Sequence, residues 1–349
     1  MSNSLVSIET NTLMTIKNKF HFLVAVLLFT VLSCKTDKES KSEEIASFSK
    51  EKAPDDRISP GKSTSLIILG TIQDAGSPHI ACQRECCKAL FENPDKNRQV
   101  VSLGLLDHEN HKKYLFEATP DISRQLKNLK KYVAPNAKEM PDGIFLTHAH
   151  IGHYAGLMYL GKEATDAKEV PVYTMPRMKT FLETNGPWSQ LIARKNILLQ
   201  PMKNEVPVSL SSHITVTPIR APHRDEYSET VGYSIKGPHK SALFVPDIDK
   251  WDKWDKSILE EIKKVDYAFV DATFFNGAEI NNRDISQIPH PFIIESMKKF
   301  ESLNQKEREK VIFIHFNHTN PVIDINSEAS KTVLENGFRV ARMYDVFEL

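Results

Sequence analysis

Short apolar runs, rich in β-branched residues and bounded by Gly, Asp or Pro, recur along this chain from residue 65 onward. The run at 65–72 (SLIILGTI) predicts a buried strand, because its apolar positions are continuous rather than alternating. Residues 114–118 predict another, followed by Thr119-Pro120-Asp121, a helix start for 122–130. Further strands are predicted at 143–147, 170–173, 214–220, 230–235, 241–245, 267–270 and 311–315, and at 338–343 to close the chain. Helices are predicted at 153–160, 177–184, 257–264, 292–301 and 327–335. Strands interleaved with helices over this length predict an α/β sandwich with its site at strand ends.

The pattern before residue 64 differs. Lys17 and Lys19 precede an apolar run from Phe20 to Leu32, which ends at Val31-Leu32-Ser33-Cys34. A basic start, a short apolar core and small residues describe a secretory signal, too short for a comfortable transmembrane helix. Cys34 after Leu-Ser resembles a bacterial lipobox, which implies that Cys34 is lipidated and becomes the mature N-terminus. A plain signal peptide with an incidental Cys, or a signal anchor, is the alternative. Residues 34–63 are rich in Lys, Glu, Ser and Asp, and read as a flexible tether. The expected organisation is a lipoprotein signal at 1–33, a tether at 34–63 and one domain at 64–349. Its place is then the cell envelope, anchored on the periplasmic or surface side of a bacterial membrane.

Composition narrows the chemistry. The 45 Lys and Arg balance 45 Asp and Glu, which argues against a nucleic-acid partner bound through a global basic field. Four Cys cannot frame 349 residues with disulfides. Thirteen His is a high number, and His148, His150 and His153 fall within six residues after the predicted strand at 143–147. Two His at i and i+2 beyond a strand end can face one cation, and a third at i+5 can return from the first helical turn. Solvated loop histidines are the bland alternative, which three in six residues at such a junction speak against. Cys82, Cys86 and Cys87 are three thiols within six residues. They suit a structural Zn²⁺ if a fourth ligand arrives, and are otherwise three reduced thiols.

The cluster His148-Ala149-His150-Ile151-Gly152-His153 resembles the H-x-H-x-D-H signature of the metallo-β-lactamase superfamily. The resemblance implies an αββα four-layer sandwich of the α/β (α+β) class, with metal at one edge. It also implies further ligands: His223 after Ala221-Pro222, Asp247 in LFVPDID, and His315 ending VIFIHF. The signature Asp is Gly152 here, so a second metal position of His153, Asp247 and His315 is expected to lack one carboxylate. Gln73-Asp74-Ala75-Gly76-Ser77-Pro78, the segment DYAFVDATFF, Pro289-His290-Pro291 and His315-Phe316-Asn317-His318-Thr319-Asn320-Pro321 resemble the pyrroloquinoline quinone biosynthesis protein B family. The Cys trio with a His three residues after His315 is similar to the cyclic phosphodiesterases of phosphonate metabolism. That likeness implies Cys82, Cys86, Cys87 and His318 around a structural zinc.

The expected cofactor is one or two Zn²⁺ ions at the active site, with Fe or Mn as alternatives, plus the structural Zn²⁺. Three imidazoles with an open position lower the pKa of bound water toward neutrality, so a metal-bound hydroxide would attack an ester, lactone or phosphodiester. The resemblance implies Asp247 as the catalytic and bridging carboxylate, and His290 as the group that would protonate the leaving group or bind an oxyanion. Asp271 is expected to orient a ligand imidazole. The expected partner is a small-molecule substrate, with a homodimer left open. Iron-dependent oxidation related to quinone-cofactor synthesis and a non-catalytic lipid-anchored binding protein are the alternatives. Arg224 and Arg283 are candidates for an anionic substrate, and Trp188, Trp251 and Trp254 for either an aromatic mouth or packing caps.

Overall fold

A computed structural model describes residues 63–280 and 287–349. The leader, Cys34, nearly all of the tether and Arg283 lie outside the described residues.

Among the described residues, two seven-stranded sheets form the framework. The first contains β1 (Ser65–Gly70), β2 (Ser102–Asp107), β3 (Lys112–Phe116), β4 (Gly143–Phe145), β5 (Val170–Thr174) and β6 (Ile197–Pro201). The second contains β7 (Val208–Ser209), β8 (Thr215–Arg220), β9 (Val231–Lys236), β10 (Ser241–Val245), β11 (Tyr267–Asp271), β12 (Val311–Ile314) and β13 (Arg339–Val340). The last strand, β14 (Val346–Glu348), returns to the first sheet and pairs with β1.

Burial on both faces explains the continuous apolar runs. In β1, Leu66 and Ile68 join the core shared by the two sheets, whereas Ile67 and Leu69 join a second core that includes Ile122, Leu126 and Leu129 of the helix Ile122–Lys130. Phe116 stitches the sheets together. It stacks on Phe145 at 5.1 Å and meets Tyr233 and Phe244 of the opposite sheet at 5.3 and 6.0 Å. The architecture is therefore the expected α/β sandwich with helices on the sheets.

The ends of the elements correct several expectations. The predicted strand at 338–343 is reduced to Arg339–Val340, because the chain leaves the second sheet there. Tyr344 turns with φ 69°, donates its N–H to Ile68 O at 2.9 Å, and carries the chain onto the first sheet. The predicted helix at 153–160 is a short helix Ile151–Tyr154 continued by a 3₁₀ turn Ala155–Leu160. Strands β2 and β6 and the helices Glu85–Glu92 and Trp188–Ala193 were not predicted by the apolar pattern. All three tryptophans are packing groups. Trp251 Nε1 donates to Ser296 Oγ at 2.9 Å and Trp254 Nε1 to Arg220 O at 2.7 Å, and Trp188 is equally buried.

Strand direction decides where chemistry can collect. β1 and β3 are both antiparallel to β2, and β4 is parallel to β3, so three carboxyl ends share one edge. β8 and β10 are both antiparallel to β9, and β10, β11 and β12 are parallel, so four more share an edge in the second sheet. Backbone bonds tie the two edges together: Phe316 N to Thr71 O at 2.8 Å, Gln73 N to Phe316 O at 2.8 Å and Val231 N to Thr147 O at 3.1 Å. Loops leaving parallel strands at their carboxyl ends are where α/β folds build sites.

Candidate metal centre

Each of those strand ends contributes a ligand-type side chain. Beyond β4 come His148, His150 and, one helical turn on, His153. Beyond β8 comes His223, beyond β10 Asp247, at the end of β11 Asp271, and beyond β12 His315. His290 stands before the helix Ile293–Lys299. The structure brings these eight side chains together.

Asp247 is the hub. Its carboxylate lies 3.3 Å from His148 Nε2, 3.8 Å from His150 Nδ1, 3.2 Å from His223 Nε2 and 3.3 Å from His290 Nδ1. His153 Nε2 is 3.7 Å away and His315 Nε2 4.0 Å away. Ligand atoms of His148, His150, His223 and Asp247 all lie within 4.8 Å of one another, as do those of Asp247, Asp271, His290 and His315, and those of Asp74, His153 and His315.

Outer partners fix which nitrogen faces inward. Thr147 Oγ1 sits 2.8 Å from His148 Nδ1, Asp249 Oδ1 3.1 Å from His223 Nδ1, and Thr273 Oγ1 2.9 Å from His315 Nδ1. In each case Nε2 is left pointing at Asp247. Thr273 donates its hydroxyl to Asp271 Oδ1 at 2.7 Å, so it accepts from His315. Asp271 Oδ2 accepts from Ile248 N at 3.1 Å and from His290 Nδ1 at 2.8 Å. Glu117, fully buried at the end of β3, places Oε1 3.7 Å from His153 Nδ1. Glu117 and His315 both hold left-handed backbone, φ 73° and 72°, an uncommon cost for residues with side chains that recurs at functional sites.

The residues fit a divalent cation. His148 Nε2, His150 Nε2, both nitrogens of His153, His315 Nε2 and Asp247 Oδ1 are buried and make no hydrogen bond. Native interiors leave few such groups unpaired, and a shared cation satisfies several at once. His223 Nε2 and His150 Nδ1 face each other at 3.3 Å. Two nitrogens on one tetrahedral Zn²⁺ stand about 3.3 Å apart, given Zn–N bonds of about 2.0–2.1 Å.

The charges lead the same way. Burial, reinforced by His153, holds the His148 imidazole well below its ordinary pKa, hence neutral. Burial pulls His153 down as well, but Glu117 first, then Asp74 and Asp247, outweigh it and raise it to about 9. His223 is likewise raised to about 10 against its burial, chiefly by Asp247. Burial pushes Asp271 up, yet His290 and His315 bring it down to about 2. Protons thus balance the buried carboxylates where a cation would otherwise do so.

Position 152 is filled from outside its own loop. A Cβ on Gly152 would lie 2.4 Å from Asp74 O and 2.6 Å from Asp74 Cβ. Asp74, Glu117, Asp249 and Thr273 were not assigned from the sequence. The available signal for Asp74 is its place in the segment 73–78, just past a predicted strand; for Glu117 it is a charge inside an otherwise apolar run.

A second cluster lies nearby in the chain. Cys82 Sγ and Cys86 Sγ are 3.8 Å apart, and Cys86 Sγ and Cys87 Sγ 4.0 Å. His318 Nδ1 is 3.6 Å from Cys86 Sγ and 3.3 Å from Cys87 Sγ. A tetrahedral Zn²⁺ with Zn–S of about 2.3 Å separates two sulfurs by about 3.8 Å and a sulfur from a nitrogen by about 3.6 Å. All three cysteines are free thiols. Burial and the neighbouring thiols push Cys86 up to about 12, and burial with His79 and Arg84 brings His318 down to about 4. Arg224 is exposed on the loop after His223.

Known proteins share this arrangement of chain. Coenzyme PQQ synthesis protein B of Acinetobacter baylyi is 22% identical over 289 residues, covering 76% of this chain and 93% of that protein. Its namesake in Methylococcus capsulatus is 24% identical over 311 residues, 81% of this chain and 98% of that one. The fold matches Zn²⁺-bound PqqB from Methylobacterium extorquens with a TM-score of 0.68 at 18% identity, over 82% of this chain and all of that one. It matches a diphosphatase from the PhnP family with a TM-score of 0.56 at 20% identity, over 82% and 97%. The family model described as the beta-lactamase superfamily domain matches residues 112–316, from the start of β3 to the residue after His315, and the chain belongs to that superfamily.

Proposed function

We propose that this protein is a metal-dependent hydrolase of an ester, lactone or phosphodiester in a small molecule. The observation that carries the reading is the set of buried, unpartnered ring nitrogens turned toward Asp247. His148, His150 and His223 would hold the metal, with Asp247 shared toward His153 and His315. When bound, a Zn²⁺ there supplies Lewis acidity and lowers the pKa of water.

The chain's own residues do the rest. His150 and His290 are the most exposed of the eight side chains, at 17% and 13%, so substrate approaches between them. Asp271 accepts from His290 Nδ1, which leaves Nε2 as the atom that exchanges a proton with the leaving group. Thr147, Asp249 and Thr273 hold imidazole orientation without touching substrate. The cysteine cluster with His318, closed and free of carboxylate, would hold a structural zinc.

Likeness to Coenzyme PQQ synthesis protein B over most of both chains favours one second reading, iron-dependent oxidation. Metal analysis of anaerobically purified protein, with generic phosphodiester and lactone substrates, separates the two. Zinc with hydrolytic turnover supports the first, and iron with oxygen consumption supports the second. Full activity in His148→Ala would sink both. The leader and Cys34 support a lipid anchor on the outer side of a bacterial membrane; radiolabelled palmitate incorporation lost in Cys34→Ala would test it.

A further inference from the structure

We propose that Asp74, delivered by the loop after β1, replaces the carboxylate that position 152 lacks and completes a second divalent-cation position with His153, His315 and the shared Asp247. This rests on the metal reading above and names a ligand that the H-x-H-x-G-H segment does not contain.

Three observations carry it. First, Gly152 is not an open gap. Its missing side chain would collide with the backbone oxygen and Cβ of Asp74, at 2.4 and 2.6 Å. The volume that a side chain at 152 would use already belongs to a carboxylate-bearing residue. Second, the groups beside Asp74 are short of partners. His153 Nε2 and His315 Nε2 make no hydrogen bond although both side chains are fully buried. Ligand atoms of Asp74, His153 and His315 lie within 4.8 Å of one another. Third, the loop is held in place. Gln73 N donates to Phe316 O at 2.8 Å and Phe316 N to Thr71 O at 2.8 Å, which ties the loop to the residue after His315. Gly76, at φ 80°, closes the turn by donating to Gln73 O at 2.9 Å, and Gln73 Nε2 donates to Asp74 Oδ1.

Of the rival carboxylates, Glu117 faces His153 Nδ1 at 3.7 Å, whereas it is Nε2 that faces Asp247, and the other is Asp271. Its Oδ1 already accepts from Thr273 N and Oγ1, and its Oδ2 from Ile248 N and His290. Four donors make it a positioning residue.

The test is a titration of the full chain with Mn²⁺, which suits carboxylate and imidazole better than the thiolate cluster. Binding is counted at equilibrium and the electron paramagnetic resonance spectrum reports whether two ions are coupled. Wild type is expected to take two Mn²⁺ with a coupled spectrum. Asp74→Asn, nearly isosteric, and Asp74→Ala are each expected to take one, with an isolated-ion spectrum and unchanged affinity for the first. Two coupled ions in either Asp74 variant, or a single ion in wild type, would overturn the inference and leave the hydrolase reading standing. If neither wild type nor His148→Ala bound Mn²⁺ or Zn²⁺ at the histidines, that reading would fall too.

Discussion

The histidine centre and the cysteine centre differ in how far apart in sequence their parts lie. The first is assembled from strand ends spread over both sheets, so its members depend on the register of several strands at once. The second takes three of its four members from Cys82–Cys87 and waits only for His318 to return. The first has a carboxylate hub among its imidazoles; the second has three thiols, one imidazole and no carboxylate. Closed sets of soft donors hold structure, whereas open sets of imidazole and carboxylate leave room for chemistry. The comparison also separates information that is local in sequence from information that exists only once the sheets have formed.

Four experiments press on this contrast. His148→Ala is expected to cost about a thousandfold or more in kcat/KM, since several kcal/mol of charge stabilisation go with the metal. Zinc at the cysteines would remain. Loss of both metals together would mean that the centres are one cooperative unit. His290→Gln is expected to lower kcat by about a hundredfold with metal content intact; a parallel loss of metal would move His290 into the ligand set. Cys86→Ser/Cys87→Ser should remove one zinc and lower Tm on the order of 5 °C, the effect of about 2.7 kcal/mol of lost ligand stabilisation, while kcat is largely kept. Unchanged zinc content would end the structural-zinc proposal. Thr273→Val removes the hydroxyl between Asp271 and His315 and should weaken metal binding about tenfold. No change would show that the buried imidazole is oriented by packing alone.

The same contrast governs what could be read in advance. β10 at Ser241–Val245 is plain in the pattern because continuous burial writes continuous apolar sequence, and the helix Ile122–Lys130 because one buried face repeats as Ile122, Leu126 and Leu129. β2 was hidden by Gly104, whose absent side chain gives Leu129 its space: a Cβ there would sit 2.5 Å from Leu129 Cδ1. β14 is three residues long, too short for a pattern. Among the candidate ligands, His148, His150, His153 and the cysteines announce themselves by spacing. His223, Asp247 and His315 came from the family signature. Asp74 lies in a segment that carries the family resemblance but no implied ligand role, and Glu117 belongs to neither kind of signal; the shared direction of β1, β3 and β4 carries their loops to the same edge.

Gly152 and the loop after β1 constrain each other. The backbone oxygen of Asp74 stands 2.4 Å from where a Cβ at 152 would begin, and a main chain cannot swing aside as a lysine tip can. An aspartate written into position 152 is therefore not a free repair of the motif: it fits only if the loop that carries Asp74 moves away.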